Sequence, residues 1–141
     1  MQLIVQELTS ELFQSFMPDS NKQVSAIRPH LYIRNNPVGN VKVQVLTSDD
    51  VLITESDPVA FSEITNAIEY HGYVAFFLNA SLKKDETYRI KIVSGGGYSF
   101  SESAYVAICN DYDLRKYTPE YTIASVWQAP LDIEIWTTSQ K

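Results

Sequence analysis

Cysteine and long apolar runs are nearly absent from this chain. Its 141 residues contain one cysteine, Cys109, and no stretch that approaches the about 20 apolar residues of a membrane-spanning helix. One thiol excludes a disulfide within the chain, and its place in the strand-like run 104–109 indicates a buried structural thiol in a reducing compartment. The first residues lack the basic segment and apolar run of a signal peptide. We therefore expect a complete, soluble small protein made in a cytoplasm.

Basic residues are also scarce. Lysine and arginine number 11 against 17 acidic residues, which gives a net charge of -6 and a pI of about 4.8. Binding to phosphate backbones or to anionic lipid needs a basic surface, so we expect no nucleic-acid partner and no membrane insertion. The charges of both signs are interspersed, which is typical of a solvated surface.

Sequence signatures of catalysis are missing too. The two histidines, His30 and His71, have no nucleophile near them in sequence, and no Gly-x-Ser-x-Gly elbow is present. The glycine run 95–97 lacks the Lys-Ser/Thr of a phosphate-binding loop, so it predicts a tight or flexible connection. We expect a protein without enzymatic activity and without a cofactor.

Alternation of apolar and polar residues is what the chain has instead. Tyr88, Ile90 and Ile92 alternate with polar neighbours, as in a strand with one side on a core and the other in water. The pattern recurs at short, regular spacing with no long helix, and it predicts eight or nine strands in an antiparallel sandwich or barrel. Ten segments are candidates for these strands, with 11–17 ambiguous: 3–8, 11–17, 24–34, 41–45, 51–54, 73–78, 87–93, 104–109, 121–126 and 131–137.

Four places in this pattern are ambiguous, irregular or interrupted by a turn. Residues 11–17 also fit helical spacing, but their short length and the turn that follows favour a strand. Residues 61–69 suit either one turn of helix or an irregular strand. Pro29 has no N–H for a ladder, so it predicts that its strand is bent or lies at an edge. His71-Gly72 predicts a turn before the strand 73–78.

The order of these features resembles a known group of domains. The run 14–18 and a turn lead into a long strand, a valine-rich hairpin follows, and then come 72–76, the Leu-x-x-x-x-x-Tyr-x-Ile of 82–90 and 97–99. This looks like the jelly-roll β-sandwich domains of the galactose-binding-like and carbohydrate-binding-module type, which also occur in tailed-phage virion proteins. The resemblance covers residues 14–136 and consists of structural motifs, which specify fold better than function.

The resemblance implies a single two-sheet jelly-roll domain over residues 1–141, with 1–16 forming an arm or the first strands. It implies a structural protein of a bacteriophage virion, such as a capsid decoration or a tail or fibre module. Such modules associate with themselves, often as trimers, and with other virion proteins. An arm at 1–16 would pair with a neighbouring subunit, so that deletion of residues 1–10 abolishes assembly. The alternative is a module that binds a surface glycan for attachment to a host.

A polar and aromatic loop, 110–120, supplies candidate contacts, together with two tryptophans near the chain end. Trp136 falls on the polar side of the last strand, and an exposed tryptophan usually marks a contact with a sugar or a subunit. Asp111 and Asp113 are candidate ligands for a structural calcium, and they equally suit a turn. With Glu120 they could be drawn into a glycosidase pair, but a small sandwich has little material for the cleft. The candidate glycan or interface residues are Tyr112, Arg115, Tyr117, Tyr121, Trp127 and Trp136.

Overall fold

Two antiparallel sheets make up the described part of the chain, as the alternation predicts, so the two-sheet all-β fold class is confirmed. The computed structural model describes residues 5–7, 11–18, 20–35, 37–64, 69–99, 104–109, 121–122 and 133–137, and the side chains of 5–7, 69–71, 109, 121–122 and 134 lie outside that description. The elements are β1 (Val5–Glu7), β2 (Glu11–Phe16), β3 (Lys22–Arg34), β4 (Asn40–Thr47), β5 (Leu52–Glu55), β6 (Val59–Ala60), α1 (Phe61–Ile64), β7 (Glu69–Tyr73), β8 (Phe76–Leu82), β9 (Tyr88–Gly95), β10 (Tyr105–Cys109), β11 (Tyr121–Thr122) and β12 (Ile133–Thr137).

The first sheet is built around β3, which is 13 residues long and pairs with four other strands. β10 and β7 both pair with its second half, and β12 and β8 both pair with its first half. Two strands that share a partner segment must lie on opposite sides of it. The two-residue link 74–75 keeps β7 and β8 on one side, so β10 and β12 follow each other on the other. β1 extends the sheet beyond β10.

Pro29 lies in the middle of this central strand, so of the two alternatives, an edge strand or a bend, the edge strand is wrong. The partners of β3 change at this residue on both sides. β12 begins opposite Pro29, while β7 ends opposite His30 and β8 begins opposite Ile27. The missing N–H therefore falls at a junction between partners, where a ladder bond is least needed. The Pro29 carbonyl accepts a hydrogen bond from the Val74 N–H at 3.1 Å, which ties the 74–75 link to β3.

The second sheet has the order β11-β2-β9-β4-β5, with β6 also paired to β4. β9 and β4 pair over eight residues, from Tyr88 opposite Thr47 to Gly95 opposite Asn40. The inward residues of β2, β4 and β9 alternate with exposed or half-buried ones, which is the predicted period of two. The core between the sheets is aliphatic and aromatic. Its largest fully buried side chains include Phe16, Phe61, Phe76, Ile27, Leu31, Ile33, Ile90, Ile92, Ile108 and Ile133.

The described parts of residues 1–16 are strands of the sandwich. β1 pairs with β10 in the first sheet, and β2 pairs with β9 along its whole length in the second. Leu12 and Phe16 of β2 belong to the core. Of the two alternatives for this segment, an arm is thus not available to β2, whose apolar face is already buried within the same chain.

The region before β8 differs from the sequence-based expectation. Residues 61–64 form one turn of helix, the first of the two alternatives for that region. His71-Gly72, predicted as a turn, lies inside β7, where Gly72 pairs with Leu31 of β3. The break comes later, at Val74–Ala75, because pairing with β3 outweighs the local preference of glycine for turns. No helix in the described ranges is long and apolar enough to cross a membrane.

Candidate functional site

The outer face of the second sheet is covered by paired charges. Lys42 contacts Glu55 at 2.9 Å, and Arg89 contacts Asp50 at 2.7 Å. The Gln44 amide donates a hydrogen bond to the Glu55 carboxylate at 3.0 Å, and this bond, followed by the Lys42 ammonium, lowers the pKa of Glu55 below its usual 4.5. Exposed pairs of this kind contribute little stability but keep a surface solvated. One ring also lies on this face: Phe13 is 39% exposed, and the Arg89 guanidinium carbon lies 3.9 Å from the centre of its ring. This face is therefore mostly ion-paired, with one partly exposed ring beside a cation.

The outer face of the first sheet exposes more aromatic surface than the second, in two rings. Ala26 of β3 pairs with Trp136 of β12 on one side and with Phe77 of β8 on the other. Trp136 is 48% exposed and Phe77 is 72% exposed, whereas Ala26 between them is 1% exposed. The small alanine is thus covered, and the two neighbouring rings stand in solvent at either side of it.

A cation is fixed beside these rings. The Arg28 guanidinium carbon lies 4.5 Å from the centre of the Trp136 ring and 5.6 Å from that of Tyr73. The Tyr73 ring in turn lies 4.8 Å from the His30 ring at a tilt of 31°. Arg28 and His30 are two residues apart on β3, so both side chains point outward, and Tyr73 pairs with His30 across the strands. We call Arg28, His30, Tyr73, Phe77 and Trp136 the aromatic face.

The chemistry of the aromatic face is that of binding. Arginine over an aromatic ring contributes about 0.5–1 kcal/mol at an exposed site, and it restrains the guanidinium before any partner arrives. Flat rings offer stacking and apolar contact, while the guanidinium and imidazole offer hydrogen bonds. Such a mixture suits a protein surface or a sugar.

A second feature is a shallow depression of about 250 Å³, lined by polar residues at the start of β3 and at the end of β8. Within it the Ser81 hydroxyl donates to the Gln23 side-chain oxygen at 2.6 Å, and nearby the Lys84 N–H donates to the Asn21 side-chain oxygen at 2.9 Å. These polar groups already satisfy one another. Elsewhere in the described ranges, no group of three histidine, cysteine or acidic residues is close enough to hold a metal ion.

Trp136 is the predicted site residue that the structure describes most fully. It faces away from the core, as the alternation of the last strand predicts, while Ile133 is buried. The backbone of Tyr121 begins β11 in the second sheet, so these two residues are on strands of different sheets. The remaining predicted residues, for a contact or for calcium, lie outside the described residues: Tyr112, Arg115, Tyr117, Trp127, Asp111 and Asp113.

The other members of the aromatic face were not predicted. Phe77 carries a readable signal, because Phe76 and Leu78 on either side of it belong to the buried face of an alternating strand. A phenylalanine on the opposite face of such a strand must be exposed or covered by another element. The contact between the His30 and Tyr73 rings cannot be predicted without the strand register.

Comparison with known proteins gives no relative for this chain. No family model, no curated protein and no solved structure matches it.

Proposed function

We propose that this chain is a non-enzymatic structural module of a bacteriophage virion, a capsid decoration or a tail or fibre component, that joins other subunits through its aromatic face. The observation that carries the proposal is the exposure of Phe77 and Trp136 on one sheet face, with Arg28 stacked beside them. Aromatic residues and arginine are the types enriched in protein interfaces and in their energetic centres.

The energetics favour a protein partner for this face. Burial of a phenylalanine side chain in an interface contributes about 1.5–3 kcal/mol, and Phe77 has most of its surface still to bury. Arg28 is already oriented by the Trp136 ring, so binding immobilises little that is free. The outer face of the second sheet offers less, because its exposed ring, Phe13, is 39% exposed and already has Arg89 stacked on it.

The virion setting is supported by the resemblance to jelly-roll domains of tailed-phage proteins and by the antiparallel two-sheet fold that the resemblance implies. The experiment that tests the proposal is to purify phage particles by density gradient from cells that produce this chain and to quantify the chain by mass spectrometry. We expect a fixed copy number per particle. Particles that lack the chain would overturn the proposal.

Variants then test the face itself. We expect Phe77→Ser with Trp136→Ser to reduce incorporation into particles at least tenfold without unfolding the protein. Val38→Ser is the matched control, since Val38 is 73% exposed and lies in the loop before β4. Equal incorporation of all three proteins would exclude the aromatic face as the contact.

Glycan binding is the second candidate function. The observation that favours it is the placement of Arg28 and His30, two hydrogen-bonding side chains, against the Tyr73 ring on an exposed surface. Sugars stack on rings and bond to such neighbours. On this proposal Trp136→Ala loses binding on a glycan array while the melting temperature is unchanged. An array without hits at high protein concentration argues against a sugar.

A further inference from the structure

We draw no further inference here: the strongest candidate, the patch of exposed apolar residues Val51, Leu52 and Ile53 at the β5 edge of the second sheet, carries none, because nothing in the described part of the structure shows what covers it.

Discussion

Gly39 illustrates how much of the fold depends on one residue. Its φ is +117°, a conformation that only glycine adopts readily, and its carbonyl accepts a hydrogen bond from the Phe61 N–H at 3.1 Å. A β-carbon at this position would lie 2.5 Å from the Gly95 carbonyl oxygen and 2.8 Å from the Tyr98 β-carbon. Gly39 thus lets the loop before β4 pass closely over the end of β9.

Gly39→Ala should lower the free energy of unfolding by about 3 kcal/mol or more, because backbone strain and overpacking add. Gly97→Ala is the control, since its φ is +85° but a β-carbon there meets nothing within 4 Å. We expect the control to lower the free energy of unfolding by only about 1–2 kcal/mol, the cost of placing a β-carbon in a left-handed backbone conformation. Urea denaturation of both variants measures the difference, and equal losses would refute the close-approach explanation.

Individual residues also show what the sequence can and cannot predict about the site. Alternation along the last strand is enough to turn Trp136 away from the core. It cannot bring Arg28 and Tyr73 to that ring, because their proximity depends on β3 pairing with strands that are distant in sequence. Register is a property of pairs of strands, and single-strand periodicity does not contain it.

The turn between β8 and β9 is stabilised by the hydroxyl of the buried Tyr88. The Tyr88 hydroxyl accepts a hydrogen bond from the Lys83 N–H at 2.9 Å and donates one to the Glu86 carboxylate at 3.1 Å. Burial, as the largest cause, raises the pKa of Tyr88 above its usual 10.0, and the nearby Glu86 carboxylate acts in the same direction. This turn is also bonded to the connection between β2 and β3, since the Asp85 N–H donates a hydrogen bond to the Pro18 carbonyl at 3.0 Å.

Tyr88→Phe should cost about 1 kcal/mol of stability at neutral pH, because it removes both bonds. The pKa is raised in the folded state, so the contribution of the hydroxyl is complete below pH 10 and is lost as the pH rises through the folded pKa. The stability of the natural chain should therefore fall more steeply above pH 10 than that of the variant. Parallel curves in urea titrations from pH 7 to 11 would contradict this.

Elements were predictable where one face is buried and local chemistry agrees with the pairing. The alternation of β4, β8 and β9 gives their inward faces directly. Pro29 misled because a proline in a central strand is tolerated only at a change of partners, and that change is set by four other strands. Gly72 misled for a similar reason, since its pairing with Leu31 is tertiary.

On the scale of the whole molecule, the two outer faces divide the surface by chemistry. The second sheet presents mainly ion pairs, with Arg89 stacked on Phe13, and the first sheet presents the more exposed rings of Phe77 and Trp136. The core does not explain this difference between the outer faces, because both sheets contribute apolar side chains to it. The proposed partner would cover the exposed rings of the first sheet.

Deletion of residues 1–10 tests the whole arrangement. It removes β1, whose three residues pair with β10. Because each lost hydrogen bond costs roughly 0.5–1.5 kcal/mol, the free energy of unfolding should fall by about 2 kcal/mol. The truncated chain should still associate, since the residues of the aromatic face are on other strands. If it folds but stays monomeric by light scattering, an N-terminal arm is the contact instead.

The central position of β3 also constrains the order in which the protein can form. The ribosome completes this strand at residue 34, but its neighbours on one side are made only with residues 105–109 and 133–137. Until then, a nascent chain carries a long apolar strand with an open side, which is the condition in which strands pair with wrong partners. Contacts so distant in sequence form slowly. The yield of folded protein should therefore depend more on keeping the concentration of nascent chains low, for example by slow synthesis at low temperature, than on the stability of the finished fold.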